Sequence, residues 1–406
     1  MKSLEAAVKD EVLLLDGAMG TQLQAAGLPP GMAPEWWNLA EPAKVEAIHR
    51  AYREAGARIL EPNTFGANPI KLAHFGLATQ AAEINRAAVE LARKAAGEKA
   101  WVVASMGPTG RVLAPLGDLD PEDAAAAFEL QASALAAAGV DAINIETMAD
   151  MVEMRLAILA ALATGLPVMA EFTFAPNGRT LFGTTAEAAG AFLAGFPLIA
   201  AGLNCGLTSD LIPPVLEGLA TTWPGPLIVQ PNAGQPGSYL GPEEFAASAA
   251  ALQEKEASLL GGCCGTGPAH IERLRQVLSS RPSGRPRQKE PLPFLSSRTT
   301  ARMVSSLPSG PVIAVKDEDG DLLTEALAWQ EAEAVVFDLT YPGLAPRLLR
   351  ETLAGLWPVL SSPVIFYASH PEVLTAAILS YPGRPGATGD PALAGKAREL
   401  GALWFA

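Results

Sequence analysis

The 406-residue sequence contains very little cysteine or histidine, with three residues of the first and four of the second. Three cysteines make a poor disulfide framework and are typical of a protein kept in a reducing compartment. No run approaches the roughly 20 apolar residues of a membrane span, and the opening MKSLEAAVKDEVLLLDG lacks the features of a signal peptide. We therefore expect a cytoplasmic protein with no membrane partner.

Positive charge is also scarce, because 29 lysines and arginines stand against 43 aspartates and glutamates, giving a net charge of −14. A nucleic-acid interface needs clustered positive charge, so we expect no nucleic-acid partner. Apolar residues are abundant at 49%, and charged residues make up only 18%. This composition and length suit a large barrel with an additional smaller unit.

A strand-then-helix pattern recurs eight times between residue 11 and about residue 280. Each repeat opens with a short apolar run, and the eight runs are EVLLLDG, ARILEPN, WVVASMG, DAINIET, PVMAEFTF, PLIAAGLNC, PLIVQPNAG and ASLLGGCCG. The stretches between them, such as 42–56, have apolar residues at helical spacing. Continuous apolar runs are typical of strands buried on both faces, so the pattern predicts an α/β fold, a (βα)8 TIM barrel.

The segment SSRPSGRPRQKEPLP (279–293) interrupts this rhythm with prolines and basic residues. The pattern then resumes on a smaller scale, with PFLSS, PVIAV, AVVFDL, PVIFYA and ALWFA as predicted strands. We therefore divide the chain into a barrel (1–280), a Pro-rich linker (281–293) and a smaller α/β domain (294–406). The last unit is too short for a complete second barrel.

The three cysteines fall at predicted C-terminal strand ends, where TIM-barrel enzymes carry their active sites. Cys205 ends the sixth strand, and Cys263 and Cys264 follow the eighth. Three thiolates at one barrel mouth predict a tetrahedral metal site with one open position, and zinc suits such ligands. Neighbouring residues of a regular strand point to opposite faces, so we expect the flanking glycines to let the backbone turn. The alternatives are simple buried cysteines or a disulfide of Cys205.

Polar residues end several other predicted strands. Asp16 in LLLDGAMGT could grip a polar substrate together with nearby backbone amides, or could simply start a tight turn. Glu146 ends a buried strand, where we interpret it as the partner of a cationic group such as an amine, the alternative being a structural ion pair with arginine. Asn63, Thr64 and Asn232 could bind substrate or tie loops together.

These motifs resemble the homocysteine S-methyltransferase family, which includes the homocysteine-binding module of cobalamin-dependent methionine synthase and betaine–homocysteine methyltransferase. The similarity runs in order through about residues 8–280. It rests on DGAMGTQL (16–23), EPNTFGAN (61–68), SMGPTG (105–110), DAINIETMAD (141–150), GLNCG (202–206), PNAG (231–234) and GGCCGT (261–266).

The resemblance implies transfer of a methyl group to the thiol of homocysteine, forming methionine. It places zinc on Cys205, Cys263 and Cys264, with Asn232 able to take the fourth position when substrate is absent. It also implies that Asp16 and Glu146 hold homocysteine. The full set of predicted substrate-binding residues is Asp16, Gly17, Ala18, Met19, Asn63, Thr64, Glu146 and Asn232.

The tail is similar to the first half of the pterin-binding barrel of methionine synthase, through residues 326–339 and 372–390. Asp338 is retained, but Thr340 stands where relatives have asparagine. We therefore expect the tail to pack on the barrel or on a partner rather than to bind folate.

The resemblance favours methylcobalamin as the donor, free or on a corrinoid protein acting in trans. A sulfonium donor, S-methylmethionine or S-adenosylmethionine, is the first alternative, and betaine is the next. Two alternatives belong to other functional classes: the protein could be a zinc hydrolase, or a zinc-bearing structural subunit of a methyl-transfer complex.

Overall fold

A computed structural model describes residues 1–235, 237–279, 286–308, 310–316 and 322–406. Eight parallel strands in these residues form one sheet. They are β1 (Leu13–Leu14), β2 (Ile59–Leu60), β3 (Trp101–Met106), β4 (Ala142–Met148), β5 (Val168–Phe172), β6 (Ala200–Thr208), β7 (Leu227–Asn232) and β8 (Ala257–Leu260). A parallel bridge between Leu15 and Ile59 closes the sheet. The predicted TIM barrel is confirmed, and each strand begins in its predicted apolar run, although β4 and β6 extend beyond theirs to Met148 and Thr208.

Helices surround the barrel and close its lower end. They are α1 (Leu4–Asp10), α2 (Met19–Ala25), α3 (Trp37–Ala40), α4 (Pro42–Ala55), α5 (Pro69–Ala73), α6 (Ala81–Ala96), α7 (Pro121–Ala137), α8 (Met151–Leu162), α9 (Ala186–Leu193), α10 (Ile212–Thr222), α11 (Pro242–Ala251) and α12 (Pro268–Ser279). The helices α7 and α12 begin at Pro121 and Pro268, since proline is favoured at the first helical position. Buried residues of α1 pack against inward-facing residues of the strands, so α1 plugs the barrel floor. Among the described residues, none of the helices is long and apolar enough to cross a membrane.

The tail forms a second sheet with its own apolar core. Five parallel strands lie in sequence order: β11 (Val312–Ala314), β12 (Val335–Asp338), β13 (Val364–Ala368), β14 (Gly386–Gly389) and β15 (Leu403–Trp404). The helices are α13 (Leu322–Leu327), α14 (Pro346–Ala354), α15 (Pro371–Ser380) and α16 (Ala394–Glu399). A parallel sheet in strict sequence order is the arrangement expected of half a barrel.

Two details of the tail differ from the prediction. The run PFLSS contributes β9 (Phe294–Ser296), which pairs antiparallel with β10 (Ala301–Met303) in a hairpin outside the five-stranded sheet. The strand β14 was not predicted, because GATG has no apolar run to mark it. Its glycine at 386 instead allows close packing, since a Cβ there would lie 2.7 Å from the Phe405 ring.

The described part of the linker is fixed to the barrel. Arg287 is buried, and its guanidinium donates to the carbonyl of Ala220 and pairs with Glu256. The amide of Lys289 donates to the carbonyl of Pro224 at 2.9 Å. Residues 281–285 of the predicted linker lie outside the described residues. The division into 1–280, 281–293 and 294–406 stands as our proposal.

Arg155 of α8 joins the barrel to the tail. The side chain is fully buried, and its guanidinium donates to the carbonyls of Leu400 at 2.5 Å, Tyr381 at 3.2 Å and Gly383. The guanidinium also lies over the ring of Phe192, 5.0 Å from its centroid. Because a buried cation is costly unless its donors are used, these carbonyls stabilise the tail against the barrel.

We expect Arg155→Leu to lower the free energy of unfolding by about 3 kcal/mol, because three buried carbonyls lose their donor. Urea unfolding followed by circular dichroism measures this, with Arg86→Leu on α6 as the control because Arg86 is exposed. Equal unfolding free energies for the two variants would contradict the assigned role of Arg155.

Candidate metal and substrate site

Cys205 lies where β6 loses its regular geometry. The register with β7 shifts between Asn204 and Thr208, and Cys205 has a φ of 56°. Gly206 follows with a φ of 61°. A residue with a side chain rarely adopts this left-handed conformation, so the backbone is strained at the position that directs the thiol.

The loop carrying the cysteine pair is held by backbone hydrogen bonds from both sides. The amide of Cys263 donates to the carbonyl of Pro231 at 2.8 Å, and Ala233 donates to the carbonyl of Cys264 at 2.9 Å. The expectation that all the flanking glycines supply unusual backbone angles holds only in part. Gly265 has a φ of 83°. At position 262 glycine is required for a steric reason instead, since a Cβ there would lie 2.6 Å from the Thr266 side chain.

The structure brings the three thiols together. The sulfurs of Cys205 and Cys264 are 3.9 Å apart, and all three sulfurs lie within 4.8 Å of one another. Hydrogen bonds from Cys263 and Cys264 lower the pKa of Cys205 to about 3, while the contact with Cys205 raises the pKa of Cys264 to about 11. The cluster therefore favours one thiolate, and ionising a second thiol is opposed by repulsion between the two negative charges. A bound divalent cation would relieve this repulsion.

Asn232 supplies a further polar atom beside the thiols. Its side-chain oxygen is buried and has no hydrogen-bond partner among the described residues, and its side chain contributes to lowering the Cys205 pKa. A buried oxygen without a partner is uncommon unless an ion or ligand uses it. His270 is not such a donor, because its ring nitrogens contact the amide of Gly267 and the carbonyl of Leu240. Three thiols and this oxygen fit a zinc ion.

The turn after β1 lies against the cysteine loop. The carbonyl of Asp16 accepts from Gly262 at 3.1 Å, and its carboxylate accepts from the amide of Glu61 at 2.9 Å. The amide of Ala18 donates to the hydroxyl of Thr266 at 3.0 Å. Ala18, just before α2, has no capping side chain. The segment Asp16–Met19 therefore lines the same mouth as the thiols, with the Ala18 amide already used.

Glu146 is buried near the end of β4 and is held by two neighbours that the sequence did not identify. The hydroxyl of Ser105 donates to one carboxylate oxygen, and the amide of Asn204 donates to the other at 2.6 Å. Burial raises the pKa of Glu146 to about 7. Among the described residues no basic side chain forms an ion pair with Glu146. The alternative role, a structural ion pair with arginine, is therefore not observed.

Asn63 and Thr64 make protein contacts that tie loops. The Asn63 amide donates to the carbonyl of Pro34 at 2.8 Å and to the side chain of Asn38 at 2.9 Å. The Thr64 hydroxyl donates to the carbonyl of Ser105 at 2.7 Å. These contacts hold the loop after β2 in place, as in the loop-tying alternative.

A network of buried polar residues inside the barrel was missed. Asn144 donates to the carboxylates of Glu61 at 2.8 Å and Glu171 at 2.7 Å, and Gln230 donates to Glu171 at 2.9 Å. Burial raises the pKa of both glutamates, that of Glu171 to about 8. The signal that marked Glu146, a glutamate within an apolar strand, applies equally to Glu171 in PVMAEFTF.

Glu171 predicts a pH dependence of stability. Its pKa of about 8 in the folded protein exceeds the roughly 4.3 of an unfolded chain. The stabilisation from its bound proton is therefore complete below about pH 4.3 and is lost as the pH rises through about 8. Because glutamine cannot ionise, the stability advantage of Glu171→Gln over the wild type should grow between about pH 5 and 9, by on the order of 3 kcal/mol.

Urea unfolding of the metal-free protein across this pH range tests the prediction. Glu129→Gln is the control, since Glu129 is an exposed residue of α7. A constant difference between Glu171→Gln and the wild type at all pH values would show that Glu171 is already ionised in the fold.

A sequence model of the family described as homocysteine S-methyltransferase matches residues 13–278. The chain belongs to the homocysteine S-methyltransferase family. A methionine synthase of Mycobacterium tuberculosis (strain ATCC 25618 / H37Rv) is 34% identical over 322 residues, covering 72% of this chain and 27% of the relative. A methionine synthase of Mycobacterium leprae (strain TN) is 33% identical over 294 residues, covering 66% and 24%. The chain thus spans about a quarter of the length of these relatives.

Solved structures of a homocysteine methyltransferase match about two thirds of this chain. The metallated form of the homocysteine methyltransferase MmuM from Escherichia coli superposes with a TM-score of 0.59 at 28% identity, covering 68% of this chain and 99% of that one. Its oxidized form gives a TM-score of 0.57 at 29% identity, covering 66% and 97%. The similarity therefore extends through nearly the whole of that chain.

Proposed function

We propose that this protein transfers a methyl group to the thiol of homocysteine, forming methionine, in a zinc-dependent reaction. The observation that carries the proposal is the cluster of Cys205, Cys263 and Cys264, with all three sulfurs within 4.8 Å of one another. The carboxylates of Asp16 and Glu146 approach the same barrel mouth. A zinc hydrolase is disfavoured, because such enzymes use histidine and carboxylate ligands with a positioned base.

The three cysteines would hold the metal, and Asn232 would occupy the fourth position when homocysteine is absent. Bound there, zinc supplies the positive charge that keeps the substrate sulfur as a nucleophilic thiolate at neutral pH. The exposure of Cys264 leaves this side of the cluster open to an incoming sulfur.

The remaining residues would orient the amino-acid end of homocysteine. Asp16 and Glu146 accept hydrogen bonds from its ammonium group, which replaces the missing basic partner of Glu146. The backbone amides of Gly17 and Met19 face the substrate carboxylate, while the Ala18 amide stays with Thr266. With the amino-acid end of homocysteine held in this way, its sulfur is positioned to attack the methyl carbon in line. A carbon–sulfur bond forms as the bond between the methyl group and the donor breaks.

For the donor we propose methylcobalamin, free or on a corrinoid protein, on the basis of the methionine synthase relatives and the half-barrel tail. The tail would pack on the barrel rather than bind folate, and Asp338 supports this because its carboxylate accepts from the amide and hydroxyl of Thr340. A sulfonium donor, S-methylmethionine or S-adenosylmethionine, is the second candidate, and betaine is the third. We assign the reaction to the cytoplasm, where the three thiols stay reduced.

A donor screen with purified protein and homocysteine tests the proposal. Methylcobalamin, methyltetrahydrofolate, S-methylmethionine, S-adenosylmethionine and betaine are supplied separately, and methionine is quantified by mass spectrometry. We expect methionine from methylcobalamin, loss of the activity on treatment with a chelator, and recovery on adding zinc. Methionine only from a sulfonium compound would select the second donor. A stable zinc site that homocysteine never perturbs, with no product from any donor, would indicate the structural-subunit alternative.

A further inference from the structure

A cavity of about 250 Å³ lies between the barrel and the tail. Its barrel side is formed near the starts of α7 and α8, including Leu113 and Leu156, and its tail side includes Trp357 and Leu379. None of the residues that line it belongs to the proposed metal or substrate site. Since a cavity of about 150 Å³ holds one benzene molecule, this one has room for one to two fused rings.

The acidic groups around the cavity are already used by the protein. Asp120 accepts from the amide of Glu122 at the start of α7, and Asp150 accepts from the amide of Val152 at the start of α8. The Glu122 carboxylate pairs with Arg350 of the tail at 2.5 Å. On the rim, Arg347 pairs with Glu351 at 3.1 Å. These carboxylates are therefore poorly placed to take a cationic ligand.

Arg298 is the exception among the charged groups of the cavity. Within the described residues its guanidinium takes part in no hydrogen bond or ion pair, although it is half-buried and lines the cavity. Burial lowers its pKa, and the nearby charge of Asp150 offsets this in part. A half-buried cation without a hydrogen-bond partner in the protein favours an anion beside it.

We propose that this cavity binds an aromatic or alicyclic organic anion, with the carboxylate or sulfonate of the ligand on Arg298 and its ring against Trp357. The apolar lining supplies the affinity for the ring, and one unused guanidinium fixes the orientation of the charged group. The ligand would contact both the barrel and the tail, so its binding would stabilise their association.

The probe for this site is 2-naphthoate, with uncharged 2-naphthamide as its matched analogue. Isothermal titration calorimetry on the full chain should show one molecule of 2-naphthoate per chain, bound about tenfold more tightly than the amide. The amide oxygen can still accept from the guanidinium, but the negative charge and the second acceptor oxygen of the carboxylate are lost. Arg298→Gln should weaken 2-naphthoate binding about tenfold and remove the preference over the amide. Arg347→Gln, at an exposed arginine of the rim, should leave the affinity within about twofold.

A second variant locates the ring. Ala354→Trp places a large side chain in the cavity and should abolish binding of both probes, with thermal unfolding used to verify that each variant is folded. No saturable binding of 2-naphthoate up to about 10 mM would overturn the proposal, because that limit corresponds to less than 3 kcal/mol of binding free energy. Unchanged binding in Arg298→Gln, or in folded Ala354→Trp, would also overturn it.

Discussion

Replacing Cys263 with serine should remove the bound zinc and lower methyl transfer at least about 1,000-fold. A serine hydroxyl stays protonated at neutral pH, so it is a poor substitute for a thiolate ligand, and metal affinity falls with each lost ligand. Two remaining thiols would leave the homocysteine sulfur without the charge that keeps it ionised.

Two measurements test this prediction. The first is the zinc content of the purified variant, determined by elemental mass spectrometry, and the second is the rate of methionine formation. Thr266→Ser is the control in the same loop, because it keeps the hydroxyl that bonds to the carbonyl of Cys263 and to the amide of Ala18. It should retain zinc and most of the activity. Full zinc and full activity in Cys263→Ser would rule out the three-thiolate mechanism.

Replacing Glu146 with glutamine should raise the KM for homocysteine about 100-fold and change kcat much less. The carboxylate is buried, and its proposed partner is the substrate ammonium, so the neutral amide loses a charge-assisted hydrogen bond in a site with little water. Glu153→Gln is the matched control, since Glu153 is also buried and its carboxylate accepts from the amide and hydroxyl of Thr109.

The same variant carries a pH signature. With a pKa of about 7 in the free protein, Glu146 is protonated at lower pH and binds ammonium only when it ionises. The wild-type KM should therefore fall as the pH rises through about 7, and Glu146→Gln should lose that part of the profile. The ionisation of the substrate thiol is common to both proteins, so the difference between their profiles isolates Glu146. Identical pH profiles of KM for the wild type and Glu146→Gln would show that Glu146 does not bind the substrate ammonium.

The sequence predicted the barrel because the evidence for it is local. Eight continuous apolar runs, each followed by a helical pattern, require no knowledge of which strands touch. The cysteine cluster was within reach for the same reason, since parallel strands bring their C-terminal ends to one mouth. Cys205 and Cys263 are 58 positions apart in sequence, yet they come together because β6 and β8 both lie beside β7 in the sheet.

The rest depends on contacts that the sequence pattern does not encode. Nothing in GLNC shows that Asn204 reaches Glu146 on another strand, and Ser105 differs from an ordinary strand serine only by its neighbour. Arg155 is similar, because MVEMRLAIL predicts a helix and gives no sign that the arginine is covered by three carbonyls of the tail. Such partners are set by side-chain directions across strands and domains, which periodicity does not specify.

The left-handed backbone at Cys205 has a consequence for the evolution of this protein. At that φ glycine or asparagine would be more comfortable than cysteine, by on the order of 1 kcal/mol. A random mutagenesis screen that selects for heat resistance alone would therefore tend to replace Cys205. The selected variants would be more stable but would lack one of the three proposed metal ligands. We therefore expect cysteine to be retained at this position where selection acts on the thiol itself, as it would for a metal ligand, and to be lost where selection acts on stability alone.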